Sequence, residues 1–186
     1  MIRIEPLSTK ALRNGSTEYN FRNEADIRRF VYFTLKGNRA VKPVLTGARG
    51  FRNCVTNPDG IAEEMIALQY LYNKTSGLRV QGLILTVTKD ELSAEHTLQG
   101  VGNIAYRFTD YIFLSGFQTA YGVFDSNDHF DICYAINTVS YANGMKFRQN
   151  HREILADEQL CAETILADIA GKPLDVRFDF ESLEYS

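Results

Sequence analysis

The segment His129-Phe130-Asp131-Ile132-Cys133-Tyr134-Ala135-Ile136-Asn137-Thr138-Val139-Ser140 constrains this chain more than any other. On an extended strand, side chains two residues apart share a face. His129, Asp131 and Cys133 therefore point one way, while Phe130, Ile132 and Tyr134 point the other. All three residues of the first set are possible metal ligands, so the strand reads as a metal platform. The alternative is the polar, solvent-facing side of a half-buried strand. Before it, residues 117–124 read as a second strand, with Ser126-Asn127-Asp128 as the turn between them. After it, Asn143-Gly144 is a hairpin signal that folds residues 145–148 back.

The remaining elements follow from periodicity. Ile27, Phe30, Val31 and Leu35 fall at helical spacing. Residues 36–57, rich in Gly, Arg and Asn, read as a long loop or irregular hairpin. Asn57 is an N-cap and Pro58 a first helical residue, opening a helix with Ile61, Met65, Leu68 and Tyr72 on its apolar face. Residues 78–88 are β-branched and apolar and predict a buried strand. Ser93 caps a helix with Ala94, Leu98, Val101, Ala105, Phe108 and Ile112 on one stripe. A last helix spans about 150–170, with Ile154, Cys161, Ile165 and Ile169 inward, and the tail reads as a short strand. The expected fold is α/β of the α+β type: a mainly antiparallel sheet with helices packed on one face. The expected organisation is an irregular N-terminal segment over 1–22, one α/β domain over 23–172 and a C-terminal tail over 173–186.

Charge is distributed unevenly. The net charge of −3 argues weakly against a nucleic-acid partner. Residues 1–52, however, carry eleven Lys or Arg against four acids, and the rest carries nine against nineteen. The N-terminal third is thus expected to face an anionic partner. Arg28, Arg29, Lys36, Arg39, Lys42, Arg49 and Arg52 are candidate phosphate contacts, with Phe33 and Phe51 candidates for stacking on unpaired bases. The three cysteines, Cys54, Cys133 and Cys161, are odd in number and widely spaced, which disfavours a disulfide scaffold and fits a reducing cytoplasm. The first residues lack the apolar core of a secretory signal. His96 and His151 each open a helix and are expected at the surface. No phosphate loop, GxSxG or Ser/His/Asp set is present at recognisable spacing.

The 129–140 strand, followed by Gly144-Met145-Lys146-Phe147, resembles the relaxases, the mobilisation nucleases of plasmids and other mobile elements. In that family the strand reads H-x-H-N-H, then apolar residues, then N-x-V-[SN], with a G-K-[KM]-[FY] turn beyond. Asn137, Ser140 and Gly144 match, and the order of elements matches over about 24–170. The resemblance implies a relaxase-like palm, DNA nicking in conjugation, a divalent metal (Mg or Mn), single-stranded origin-of-transfer DNA and a relaxosome accessory protein as partners. It places two metal ligands of the family at Asp131 and Cys133, which with His129 on the same strand face make the candidate set. It also implies departures: the last two histidines of the family strand fall on Asp131 and Cys133, a third falls on or beside Phe124, and another near Gln81. Tyr32, near the end of an apolar helix and before Lys36, falls where the family carries its nucleophile. The resemblance therefore implies a DNA-binding relaxase-like protein with lost or weakened nicking. The alternatives are an active nuclease with a rearranged metal site, or a small α/β interaction module with no DNA role.

Overall fold

The computed structural model describes residues 2–6 (backbone), 21–52, 57–92, 97–147, 160–165, 167 and 168. The expectations for Cys54, Ser93, His96, His151 and the C-terminal tail lie outside these residues. Five strands form one antiparallel sheet: β1 (Ile2–Pro6), β2 (Leu45–Arg49), β3 (Val80–Thr88), β4 (Thr119–Asp125) and β5 (His129–Asn137), in the order β1-β3-β5-β4-β2. Three helices accompany it: α1 (Glu24–Lys36), α2 (Pro58–Leu71) and α3 (Thr97–Leu114). Residues 160–165 are also helical. The α+β class and the antiparallel sheet agree with expectation. Among the described residues, no helix is long and apolar enough to cross a membrane.

Two short strands were not expected. Ile2–Pro6 pairs with β3 inside a segment expected to be irregular. Leu45–Arg49 pairs with β4 inside the expected loop. Both lie at sheet edges, where pairing on one side suffices and little apolar alternation is needed.

The helices also cover both faces of the sheet rather than one. Phe130, Ile132, Tyr134 and Ile136 of β5 join Leu83, Leu85 and Val87 of β3 under Val101, Ile104 and Phe108 of α3, with Ala162 and Ile165 beside them. Cys133 and Ala135 of β5 join Val80, Ala120 and Phe124 under Ile27, Phe30 and Val31 of α1 and Ile61 and Met65 of α2. The physical reason is side-chain size. The second face carries Ala120, Gly122, Cys133 and Ala135, so a helix backbone can approach closely. A Cβ at Gly122 would lie 1.8 Å from the Thr34 carbonyl oxygen of α1. Burying each large apolar side chain of such a layer contributes about 1.5–3 kcal/mol.

The end of β5 ties the layers together. Asn137 is fully buried. Its Nδ2 donates to the Met65 carbonyl (3.2 Å) and to Gln118 Oε1 (2.8 Å), while its Oδ1 accepts from Gln69 Nε2 (2.9 Å) and the Val139 amide (3.2 Å). Gln69 also donates to the Arg79 carbonyl (2.7 Å) and accepts from Arg79 Nε (2.7 Å). Beyond the strand, the Ser140 amide donates to the Met145 carbonyl and the Phe147 amide to the Thr138 carbonyl, closing the expected hairpin. Gly144 takes φ 69° at its tip, and a Cβ there would meet the Tyr72 ring at 2.2 Å. Lys146 Nζ then donates to the Ser76 and Leu78 carbonyls.

Candidate nucleic-acid interface

Asn23 caps α1, its side chain accepting from the Asp26 amide at 2.8 Å. The inward stripe of the helix buries Ile27, Phe30, Val31 and Leu35, as the spacing requires. The outward stripe carries Arg28, Arg29, Tyr32 and Lys36. Gly37 ends the helix, and the Asn38 side chain accepts from the Ala40 and Val41 amides, both at 2.8 Å. That turn brings Arg39 and Lys42 to the same side. The result is an open cleft of about 830 Å³ lined by Arg28, Arg29, Tyr32, Phe33, Lys36, Arg39, Lys42 and Asp59, among others. Five of the seven cations expected to contact phosphate are thus gathered around Tyr32.

These cations differ in what already neutralises them. Arg28 is paired with Glu63 at 2.8 Å and Arg29 with Asp26 at 2.5 Å. Lys36, Arg39 and Lys42 have no ion-pair partner among the described residues. Arg49 lies elsewhere. It projects from β2 toward α3, on the opposite face of the sheet, where it pairs with Asp110 at 2.7 Å between the rings of Tyr106 and Phe113. Arg52 is not part of the cleft lining, and its backbone N–H donates to Glu64 Oε2 at 2.9 Å. Phe51 packs against the core under α1 and α2 instead of facing the cleft.

The 129–133 segment is a strand, and its odd-numbered residues face the α1 side. They do not form an open ligand set. Cys133 is buried, and its Sγ lies 3.8 Å from Thr34 Oγ1 of α1. Burial pushes its thiol up to about 12, so the sulfur stays protonated near neutrality. Asp131 Oδ1 accepts from Thr86 Oγ1 at 2.7 Å, and its Oδ2 lies 3.3 Å from His129 Nε2. The other imidazole nitrogen, Nδ1, lies 2.6 Å from Asp128 Oδ1. The hydrogen bond to Asp128, with Asp131 adding to it, raises the His129 pKa above its ordinary value.

Phe124 faces Asp131 across the β4–β5 ladder. Directly opposite residues project to the same side. Phe33 of α1 lies flat on Phe124, with ring centroids 5.3 Å apart and planes at 14°. The same Phe33 lines the cleft. An aromatic pair therefore occupies the space beside Asp131. Among the described residues, no three His, Cys, Asp or Glu side chains are grouped so as to hold a metal ion. The residues present do not fit a histidine-type divalent site: one donor is a protonated buried thiol, one is an imidazole held between two carboxylates, and one position is phenylalanine.

The family model for the MobA/VirD2-like relaxase nuclease domain matches residues 41–167, about two thirds of the chain. The chain belongs to this family. No curated protein and no solved structure matches it. The relaxase match covers β5, the Asn137 network and the 144–147 turn. It begins after α1, so Tyr32, Arg28, Arg29, Lys36 and Arg39 lie outside the matched span. Relaxase nuclease domains act on the DNA of mobile elements.

The partners of the strand, Thr34, Thr86 and Asp128, were not singled out from the sequence. Asp128 adjoins His129 and offered a signal. Thr34 is separated from Cys133 by 99 positions and offered none.

Proposed function

We propose that this chain is a relaxase-family DNA-binding domain of a mobile element, working in the cytoplasm on single-stranded DNA of the origin-of-transfer type, with nicking lost or much weakened. One observation carries the reading: Lys36, Arg39 and Lys42, three cations with no ion-pair partner among the described residues, stand in one cleft beside exposed Tyr32. Phosphates entering such a cleft displace condensed counterions, and affinity falls with salt accordingly. Three phosphate contacts on a single strand give a log–log salt slope of about −2. Arg28 and Arg29, already paired, add positive potential and hold the lip of the cleft.

Nicking by a tyrosine needs its hydroxyl activated and the scissile phosphate polarised. A divalent ion, Mg or Mn, would supply the second in a family member with its histidines in place. Here Phe33 and Phe124 fill the neighbouring space, and Cys133 is protonated. A relaxosome accessory protein that brings the DNA to the cleft is compatible with this role.

The test is fluorescence anisotropy with a labelled oligonucleotide, titrated with salt. The expected result is binding that weakens with salt and is abolished in a Lys36→Ala/Arg39→Ala/Lys42→Ala variant. Binding that ignores both salt and this triple change would overturn the reading. Denaturing electrophoresis after incubation with manganese tests the chemistry: no covalent adduct at Tyr32 is expected. A robust adduct, lost in Tyr32→Phe, would show that the nuclease survives.

A further inference from the structure

We infer that Tyr32 is a stacking platform for an unpaired nucleobase. This assignment rests on the single-strand reading of the cleft and gives its central side chain a definite task.

Every other tyrosine among the described residues is already engaged. Tyr70 donates to Glu24 and lies under the Arg79 guanidinium. Tyr72 and Tyr141 donate to backbone carbonyls. Tyr106 sits under Arg49, and Tyr111, Tyr121 and Tyr134 pack against neighbouring rings. Tyr32 alone has no hydrogen bond, ring contact or cation over its face among the described residues. It is 55% exposed, whereas Phe33, the next residue, is stacked on Phe124.

The ring also stands in the right charge environment. Residues 28, 32 and 36 lie one helical turn apart and so form one stripe on α1. Arg28 and Lys36 flank Tyr32 at a separation of about 12 Å along the axis. Arg39 and Lys42 face it from the loop. A strand of DNA laid along this stripe sets its phosphates on the cations and a base on the ring. Base-on-aromatic stacking is tolerant of sequence, because every base has a π face. An acidic peptide would satisfy the cations equally well but has no flat ring to place on Tyr32.

The experiment compares an oligothymidine with an abasic strand of the same length, using wild type, Tyr32→Phe and Tyr32→Ala. The expected result is that Tyr32→Phe binds oligothymidine as wild type does, while Tyr32→Ala loses about tenfold or more. On the abasic strand all three proteins bind alike, and the salt slope is unchanged throughout. Equal binding of oligothymidine by wild type and Tyr32→Ala overturns the assignment while leaving the single-strand reading intact. A polyglutamate peptide that competes as well as oligothymidine also overturns it. Failure of wild type to bind any oligonucleotide removes the single-strand reading and this assignment together. Tyr32→Trp gives an independent signal, because the chain has no tryptophan of its own. Its emission is expected to be quenched by oligothymidine and unchanged by the abasic strand; quenching by both contradicts the stacking role.

Discussion

The two ends of β5 and its hairpin belong to one signature but have fared differently. At the far end, Asn137, Gly144 and Lys146, which fit the expected family pattern, each do a structural task. Asn137 joins β5 to α2 and to Gln118, Gly144 makes room for Tyr72, and Lys146 ties down the 76–78 loop. At the near end, Asp131 and Cys133, the expected ligand positions, have their atoms spent on Thr86, His129 and Thr34. The difference separates two kinds of constraint. Residues that hold the layers together are costly to change, because each has several buried partners. Residues near the other end meet fewer partners and are freer to change.

That contrast makes graded predictions. The largest effect is expected at the framework end. Asn137→Ala removes four hydrogen bonds and takes a buried partner from Gln69 Nε2, Gln118 Oε1, the Met65 carbonyl and the Val139 amide, costing about 3 kcal/mol. Urea unfolding measures this; a cost below the error of the method would break the comparison. Next is Gly122→Ala, whose new Cβ collides with the backbone of α1 at Thr34. A loss of about 2 kcal/mol is expected, with weaker oligonucleotide binding because α1 carries the cleft.

Smaller effects are expected at the near end. Cys133→Ala removes one small buried group and costs about 1 kcal/mol at neutral pH. Its pH dependence is more telling. The thiol is raised from 9.0 to about 12 in the fold, so the unfolded chain releases a proton that the folded chain retains. This contribution to stability is complete below pH 9 and is lost as pH rises through that window. Wild type should therefore lose more stability between neutral and alkaline pH than Cys133→Ala, by paired urea titrations. The smallest effect is at His129, whose partners are partly exposed carboxylates. His129→Ala should change stability by less than about 1 kcal/mol and leave oligonucleotide affinity unaltered.

Much of the scaffold was legible because its signals are local. The alternation of 129–137 set the strand and its two faces, the Asn57-Pro58 pair set the start of α2, and Asn143-Gly144 set the hairpin. The apolar face of α2 was misjudged at its end. Leu68 and Tyr72 are only partly buried, while Gln69 is drawn fully inside by Arg79 and Asn137. Polar burial of that kind depends on partners brought in from other strands. The edge strands β1 and β2 escaped because a five-residue strand paired on one side needs no clear pattern. At the candidate site, sequence placed five cations with Tyr32 but also included Arg49, which belongs to the opposite face. It named His129, Asp131 and Cys133 as expected ligands, but not that Phe33 and Thr34 from α1 pack beside that strand. Those contacts arise only when the helix settles on the sheet.

The central claim is that the cleft at Tyr32 grips single-stranded DNA through Lys36, Arg39 and Lys42 with no help from a cation on β5. Salt-titrated anisotropy of wild type, run in parallel with EDTA and with manganese, addresses it most directly. The account predicts the same affinity in both, and a log–log slope of about −2 that disappears with the triple alanine change. Binding that appears only with manganese, or none in either condition, would contradict it.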